Sequence, residues 1–349
     1  MKVTINGIVC KAEKGQTVLQ VAKDNGIHIP TLCHLPELTP WGSCRVCLVE
    51  IEGMKTLVAS CTHPATEDMV VLTNSEQVLN ARRFVVDLLL SDHPLDCMTC
   101  EKAGNCTLQN LAYDLGLTGS SMEGEKHHYP VDNSNPFIVR DYNKCILCQR
   151  CVRACAEISE INAITMSNRG FDTKVTTADD SFLQDSNCVF CGHCIQVCPV
   201  GALTEKKAHG LGRAWETTKA RTTCPYCGVG CQLNLHMNGE QIVKITGVED
   251  GSPNKGRLCV KGRFGYDFIY SGDRLTTPLI RDNGTFREAS WDEALDLVAA
   301  KFKQIIAESG PDAISGVSCA RSINEDSYQM QKFFRAAIGT NNIDHCART

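Results

Sequence analysis

The sequence predicts a multidomain α+β chain, a run of small cysteine-bearing modules that leads into the opening of an α/β domain. Three observations predict it. The 349 residues contain 22 cysteines, gathered in tight groups. One group is duplicated: Cys145-Ile-Leu-Cys148-Gln-Arg-Cys151-Val-Arg-Ala-Cys155 is matched by Cys188-Val-Phe-Cys191-Gly-His-Cys194-Ile-Gln-Val-Cys198. Beyond residue 275 the cysteine density collapses and helix–strand–helix periodicity takes over.

Charged residues at 21% and hydrophobic residues at 43% are ordinary for a globular chain, and a net charge of −5 gives no electrostatic case for binding nucleic acid or an anionic membrane. The N-terminus, Met1 to Gly7, reads as a strand and turn rather than a charged head with an apolar stretch. The longest apolar-rich stretch, Phe84 to Leu90, is broken by Asp87 and too short to span a bilayer. The expectation is a cytoplasmic chain without membrane insertion. In that reducing compartment, clustered thiols are metal ligands rather than the disulfides of a secreted protein.

Each element has a local reason. Asn6-Gly7 between two short alternating runs predicts a hairpin over residues 2–10. Thr17 with Gln20 makes a capping box; Val18, Val21 and Ala22 share one helical face, and Gly26 stops the helix. Strand, turn, strand, helix and then a cysteine-bearing loop is the opening of a β-grasp ferredoxin-like domain. Ala81 to Leu90 reads as a buried helix leading into His93. Residues 116–136, rich in Gly, Ser and Pro, read as a solvated loop that takes in His127-His128, and residues 205–221 as a polar, basic connector. Ser290 and Glu293 form another capping box before the stripe Ala294, Leu295, Val298, Phe302 and Ile305, ended near Gly310-Pro311. Asp312 to Val317 reads as a strand and Asn324 to Ile338 as a second helix.

The cysteines divide into five sets. Cys33, Cys44, Cys47 and Cys61 suit a [2Fe–2S] cluster, with structural zinc the competing reading of that set alone. His93, Cys97, Cys100 and Cys106 form a set of one histidine and three cysteines in which imidazole replaces one thiolate, and Pro94 helps keep that loop out of a helix. In each duplicated run three thiols wrap one corner of a cubane, and the fourth serves the other cluster. Cys145, Cys148, Cys151 and Cys198 then hold one [4Fe–4S], and Cys188, Cys191, Cys194 and Cys155 the second. Ala156 departs from the Cys-Pro ending that Cys198-Pro199 keeps. Cys224, Cys227 and Cys231, with Gly228 and Gly230 allowing close backbone approach, join Cys259 in a fifth set. Nineteen cysteines and His93 are thereby assigned, to one [2Fe–2S] and four [4Fe–4S]; Cys10, Cys319 and Cys346 are left as small buried or half-buried apolar residues. So many clusters read as an electron conduit. No G-x-G-x-x-G follows a strand, so nicotinamide chemistry requires a partner chain.

These motifs carry a family resemblance. Residues 1 to about 210 resemble the N-terminal half shared by the large iron–sulfur subunits of respiratory NADH dehydrogenases, [FeFe]-hydrogenases and soluble NAD(P)-linked formate dehydrogenases. Cys224-Pro-Tyr-Cys-Gly-Val-Gly-Cys231 with Arg257-Leu-Cys259-Val-Lys261-Gly262 resembles the entry domain of molybdenum- or tungsten-bis(molybdopterin guanine dinucleotide) enzymes. Asn324-Glu325 and Gly339 to Thr349 are similar to formate dehydrogenases. The resemblance implies domains at 1–78 ([2Fe–2S] ferredoxin), 79–118 (the histidine-and-three-cysteine [4Fe–4S] domain), 137–208 (two [4Fe–4S]), 218–274 (molybdopterin-type [4Fe–4S]) and 275–349 (incomplete pterin-binding domain).

It also implies roles. Lys261 sits between the fifth cluster and the nearer pterin, while Ser318, Arg321 and Asn324 line the pterin cofactor. Electrons pass from the metal and pterin by way of Lys261 and the Cys224 set to the ferredoxin pair, then to the His93 and [2Fe–2S] sets. The activity implied is formate oxidation or CO2 reduction, with diaphorase-type flavin/iron–sulfur subunits or hydrogenase subunits as partners. In formate dehydrogenases the Cys-Ala-Arg-Val/Thr run is followed by a metal-ligating Cys or selenocysteine; here no catalytic ligand precedes Thr349, and a selenocysteine codon is expected next. The competing readings are a non-catalytic multi-cluster electron-transfer subunit of a hydrogenase or NADH dehydrogenase complex, and a zinc-binding interaction protein.

Overall fold

The computed structural model describes residues 1–347; Thr349, on which the selenocysteine expectation rests, lies outside them. The chain forms two compact units, residues 1–218 with 237–244, and residues 219–236 with 245–349.

The first unit opens on β1 (Lys2–Ile5) and β2 (Ile8–Lys11), antiparallel with Ile5 opposite Ile8. Asn6 and Gly7, both at positive φ, form the expected turn. α1 (Val18–Asp24) starts at Thr17, whose capping box with Gln20 is complete. β3 (Leu48–Ile51), β4 (Val58–Ala59) and β5 (Met69–Leu72) finish a five-stranded sheet ordered β2-β1-β5-β3-β4, with β1 and β5 parallel. Val3, Ile5, Val18, Val21, Val49 and Val71 form its core at 0% exposure.

α2 (Glu76–Asp92) is longer than the periodicity predicted and only partly buried. Val78, Val86 and Leu90 are covered, whereas Phe84 and Leu88 face solvent. Its buried Arg82 donates to the carbonyls of Val46, Leu48 and Thr73, fastening the helix to the sheet edge that carries Cys47. His93 caps its C-terminus, and α3 (Thr107–Asp114) begins immediately after Cys106.

The duplicated region is built from very short elements. β6 (Ile138–Arg140) pairs antiparallel with β9 (Leu203–Glu205). Between them lie α4 (Arg150–Arg153), β7 (Thr165–Ser167), β8 (Lys174–Thr176) and α5 (His193–Val197), with β7 and β8 antiparallel and α4 continuing into a wider helical turn over Ala154–Ile158. The repeat extends to the backbone. Leu147 and Gln149 take positive φ in the first run, and Phe190 and Gly192 in the second.

Further along, β10 (Thr218–Thr223), β11 (Gln232–Asn238) and β12 (Gln241–Gly247) form a sheet in that order. The second unit continues with α6 (Val260–Phe264), a hairpin of β13 (Leu279–Asp282) and β14 (Thr285–Glu288), and α7 (Trp291–Ser309) capped by Ser290. The expected strand over 312–317 is a short turn of 3-10 helix, Pro311–Ala313, followed by β15 (Gly316–Ser318). α8 (Asn324–Lys332) ends earlier than expected, because residues 333–338 widen into a looser helical turn. β16 (Ile343–His345) then pairs parallel with β15, making a β-α-β crossover. Its small core is Ile314, Phe334 and Ile338, backed by Phe302 and Ile305 of the predicted α7 stripe; Leu295 and Val298 of that stripe are exposed.

Candidate metal centres

Cys33, Cys44, Cys47 and Cys61 come together at one edge of the β-grasp sheet, three of them about 1% exposed. Cys44 and Cys61 donate thiol hydrogen bonds to Cys33 and Cys47. Those bonds outweigh burial and hold Cys33 down to about 5 and Cys47 to about 7, while Cys44 and Cys61 are pushed up in return. In each pair one thiol is thus shifted toward the thiolate, the form that binds metal. Ser60 Oγ donates to the Cys47 carbonyl at 2.8 Å, fixing the turn between the last two sulfurs.

His93 is nine-tenths buried, its Nδ1 has no hydrogen-bond partner, and burial holds its pKa down, so the ring is kept in the neutral form that ligates. Cys100 lies close enough to raise the pKa values of both Cys97 and Cys106, after burial. The segment expected to be a connector encloses this set. Arg213 Nη1 donates to the Cys100 carbonyl at 2.7 Å, and a Cβ on Gly104 would stand 2.5 Å from the Trp215 ring. Gly201 packs as tightly on the other side, where a Cβ would stand 2.6 Å from Cys100 Sγ.

The duplicated runs exchange their fourth cysteines. Cys145, Cys148 and Cys198 all raise Cys151, while Cys191, Cys188 and Cys155 all raise Cys194, each after burial. In matching places Leu147 N–H donates to Cys145 Sγ and Phe190 N–H to Cys188 Sγ, both at 3.4 Å, which the positive φ values make geometrically open. The two groups adjoin, because Cys194 acts on Cys151.

In the second unit Cys224 N–H donates to the Cys231 carbonyl at 2.8 Å, closing the loop between β10 and β11. Cys227 and Cys259 act on both Cys224 and Cys231, and Gly262 lets α6 approach Cys224 Sγ. Buried Asn254 joins the two halves of the set, accepting from Gln232 N–H and donating to the Arg257 carbonyl. Lys261 is exposed on α6, two residues past Cys259. Asn324 Nδ2 donates to the Gly228 carbonyl at 2.9 Å, so its amide is engaged by the cysteine loop itself. Ser318 bonds Ser327, and Arg321 is exposed.

Among the described residues no three His, Cys, Asp or Glu donors converge closely enough for a single metal ion. The paired thiols of the Cys33 set, with the backbone N–H donors and unpartnered imidazole nitrogen of the other sets, fit iron–sulfur clusters, in which each iron takes only one or two protein ligands.

Two expectations change. His127 is not solvated: its ring stacks 3.9 Å from Phe171, and Nδ1 lies 2.6 Å from Asp92. Of the leftover cysteines Cys10 is buried, but Cys346 is exposed, with its sulfur 3.5 Å from that of half-buried Cys319. Arg150 and Arg153, which reach the Cys33 loop, carry no signal in the sequence beyond their place between cysteines.

Comparison with known proteins defines a class first, an oxidoreductase iron–sulfur electron-transfer region. Residues 1–76 match the 2Fe-2S iron-sulfur cluster binding domain and 82–121 the NADH-ubiquinone oxidoreductase-G iron-sulfur binding region. Residues 135–204 match the ferredoxin-like domain of NADH-quinone oxidoreductase subunit 3. Residues 217–271 match the molybdopterin oxidoreductase Fe4S4 domain and 274–349 molybdopterin oxidoreductase. Residues 217–349 thus match molybdopterin oxidoreductase models, and the residues before them match 2Fe–2S and NADH-dehydrogenase-G-like domains.

It is 41% identical over its whole length to NADPH-Fe(3+) oxidoreductase subunit alpha of Geobacter sulfurreducens and 39% to a G-type NADH-quinone oxidoreductase subunit of Rhizobium meliloti, covering 40% of each. A Staphylococcus aureus protein provisionally named a formate dehydrogenase is 34% identical over 99% of the chain and 39% of its own length. The chain therefore spans about 40% of the length of the curated relatives it matches. A crystal structure of NAD+-reducing [NiFe]-hydrogenase in the H2-reduced state superposes with a TM-score of 0.57 at 34% identity, over 60% of this chain and 89% of that one. No helix among the described residues is long and apolar enough to cross a membrane.

Proposed function

We propose that the chain is the electron-transfer portion of a cytoplasmic formate dehydrogenase or CO2 reductase catalytic subunit, linking a molybdenum- or tungsten-bis-pterin site to partner subunits that reduce NAD(P) or belong to a hydrogenase. The twenty residues of the five sets would hold one [2Fe–2S] and four [4Fe–4S], in modules near 1–78, 79–118, 137–208 and 218–274. When bound, such clusters supply one-electron redox sites. The observation that carries the reading is the adjacency of four sets in one unit. The Cys145 set neighbours the Cys188 set through Cys151 and Cys194, the Cys33 set through Cys148, and the His93 set through Gly201 against Cys100.

What the chain itself does is hold ligands, exclude water and place charge. Asn324 ties the start of α8 to the Cys224 loop, which supports a pterin site beside that set, with Lys261, Ser318 and Arg321 as the side chains toward it. Formate as substrate is supported by the Staphylococcus relative and the Gly339–Thr349 resemblance.

The alternative, a non-catalytic electron-transfer subunit of a hydrogenase or NADH dehydrogenase complex, is favoured by the hydrogenase likeness and the Rhizobium relative. The native complex, purified anaerobically, separates the two. Iron and sulfide exceeding the partner subunits' own content by five clusters, with bleaching on addition of formate, is the expected result. Bleaching by NAD(P)H or hydrogen but not by formate, with pterin present, turns the reading to the alternative; zinc without iron removes both.

A further inference from the structure

Two guanidinium groups lie in the interior between the Cys33 and Cys145 sets. Both come from α4, inside the first duplicated run. Arg153 is 1% exposed and Arg150 8%. Arg153 donates to the carbonyls of Cys33 and Thr39 and, at 3.4 Å, of Cys148, with the Trp41 ring 5.5 Å away. Arg150 Nη2 donates to the His34 carbonyl at 2.7 Å. One α4 turn thus grips both cysteine loops. Among the described residues neither guanidinium forms an ion pair, and Glu157, the acid one turn further on, accepts from Thr39 N–H at 2.8 Å. Arg150 Nε is buried without any hydrogen-bond partner.

Two buried positive charges without a counter-ion are strongly unfavourable, as is a buried N–H donor left unmade. Backbone carbonyls satisfy donors but neutralise nothing. The groups within reach that carry compensating charge are the sulfurs. Cys148, Cys33, Cys44 and Cys198 are the ones that act on Arg150. Four thiolates around an iron–sulfur core leave a net anion, more negative once reduced.

We propose that Arg150 and Arg153 form a cationic bridge between the clusters of the Cys33 and Cys145 sets, that Arg150 Nε–H donates to a cluster sulfur, and that the pair raises both reduction potentials. The inference rests on the electron-transfer reading above. A fixed cation favours the reduced, more anionic state of each neighbour, and an N–H···S bond adds to that. Both are positioning residues: they tune the clusters without ligating iron.

The test is an EPR-monitored redox titration of the cluster-loaded chain, read most cleanly at the [2Fe–2S] signal. Arg150→Gln is expected to lower the reduced-to-oxidised ratio at a fixed poise at least tenfold, ~59 mV for a one-electron couple. Arg150→Lys, which keeps the charge, recovers most of that shift, a rescue that a merely structural role would not give. Unchanged potentials in Arg150→Gln, with both cluster signals intact, overturn the proposal and leave the electron-transfer reading standing. Should Arg150→Gln fail to assemble, the wild-type chain labelled with 15N-arginine decides. A weak 15N hyperfine coupling on the reduced signal is expected, and its absence from both clusters overturns the proposal. A chain that binds zinc and no iron sinks the electron-transfer reading and this inference together.

Discussion

The β-grasp region and the duplicated region each gather cysteine sets, yet different forces hold them. In the first, a five-stranded sheet and α1 close over an apolar core of fully buried Val3, Ile5, Val18, Val21, Val49 and Val71. In the second, strands are three residues long and helices four or five. Its interior includes Asp132, Arg140, Arg150, Arg153 and Glu205 beside the sulfurs. Its buried apolar residues, Ile138, Ile164, Val175, Leu183, Val200 and Leu203 among them, are spread over elements this short, so tethering by metal is expected to contribute more to its stability. The expectation is that hydrophobic burial makes one four-sulfur site in advance, whereas ligation would complete the other.

Iron removal is the strongest way to break that contrast. Chelation under reducing conditions is expected to strip hydrogen-exchange protection from residues 137–208 while the amides of β1, β3 and β5 stay protected. Equal loss in both regions would contradict it. Asp132→Asn comes next. Asp132 accepts from Arg140 Nε at 2.7 Å with both side chains 7% exposed, so removing the carboxylate leaves a buried cation uncompensated at a cost of ~3–5 kcal/mol. Denaturant titration of the cluster-loaded chain should show that loss confined to the duplicated region. Ile5→Ala is its counterpart in the β-grasp core, where a cavity at a fully buried position costs ~2–5 kcal/mol. It should unfold that sheet early whether or not iron is present. A smaller probe is Thr17→Ala, which removes the α1 cap at ~1 kcal/mol and should act on the β-grasp transition alone.

The same contrast explains what could be read from the sequence. Asn6-Gly7 and the Thr17/Gln20 box speak through local backbone chemistry, so their positions are correct to the residue. The duplication predicts which cysteines meet, because equal spacing imposes equal backbone, including the paired positive φ values. The three-residue strands β6 and β9 carry no periodicity to detect. Arg150 and Arg153 are illegible for another reason: their acceptors at His34, Cys33 and Thr39 lie more than a hundred residues away in sequence. Trp215 and Arg213 look like connector residues until Gly104 and the Cys100 carbonyl are seen beneath them. Lys261, Ser318 and Arg321 keep roles that only the resemblance assigns.

The loop 116–136, which joins the two kinds of region, offers the subtlest probe. His127 N–H and Nδ1 both meet Asp92 at the end of α2, at 2.8 and 2.6 Å, and Nε2 meets the Phe171 carbonyl at 2.8 Å. Burial works against the imidazolium, but Asp92 and the carbonyl outweigh it, so the pKa is raised. A group whose folded pKa lies above its unfolded value, ~6.5 for histidine, stabilises fully below that value and loses the contribution as pH rises through the folded pKa. Asp92 is 35% exposed, so the pair is worth ~1 kcal/mol or less. The expected result is modest. Amide protection around residues 120–130, corrected for intrinsic exchange, declines above neutral pH in the wild-type chain and is flat with pH in His127→Gln. A wild-type profile as flat as the variant's would show that stacking on Phe171 and Tyr129, rather than charge, holds the loop.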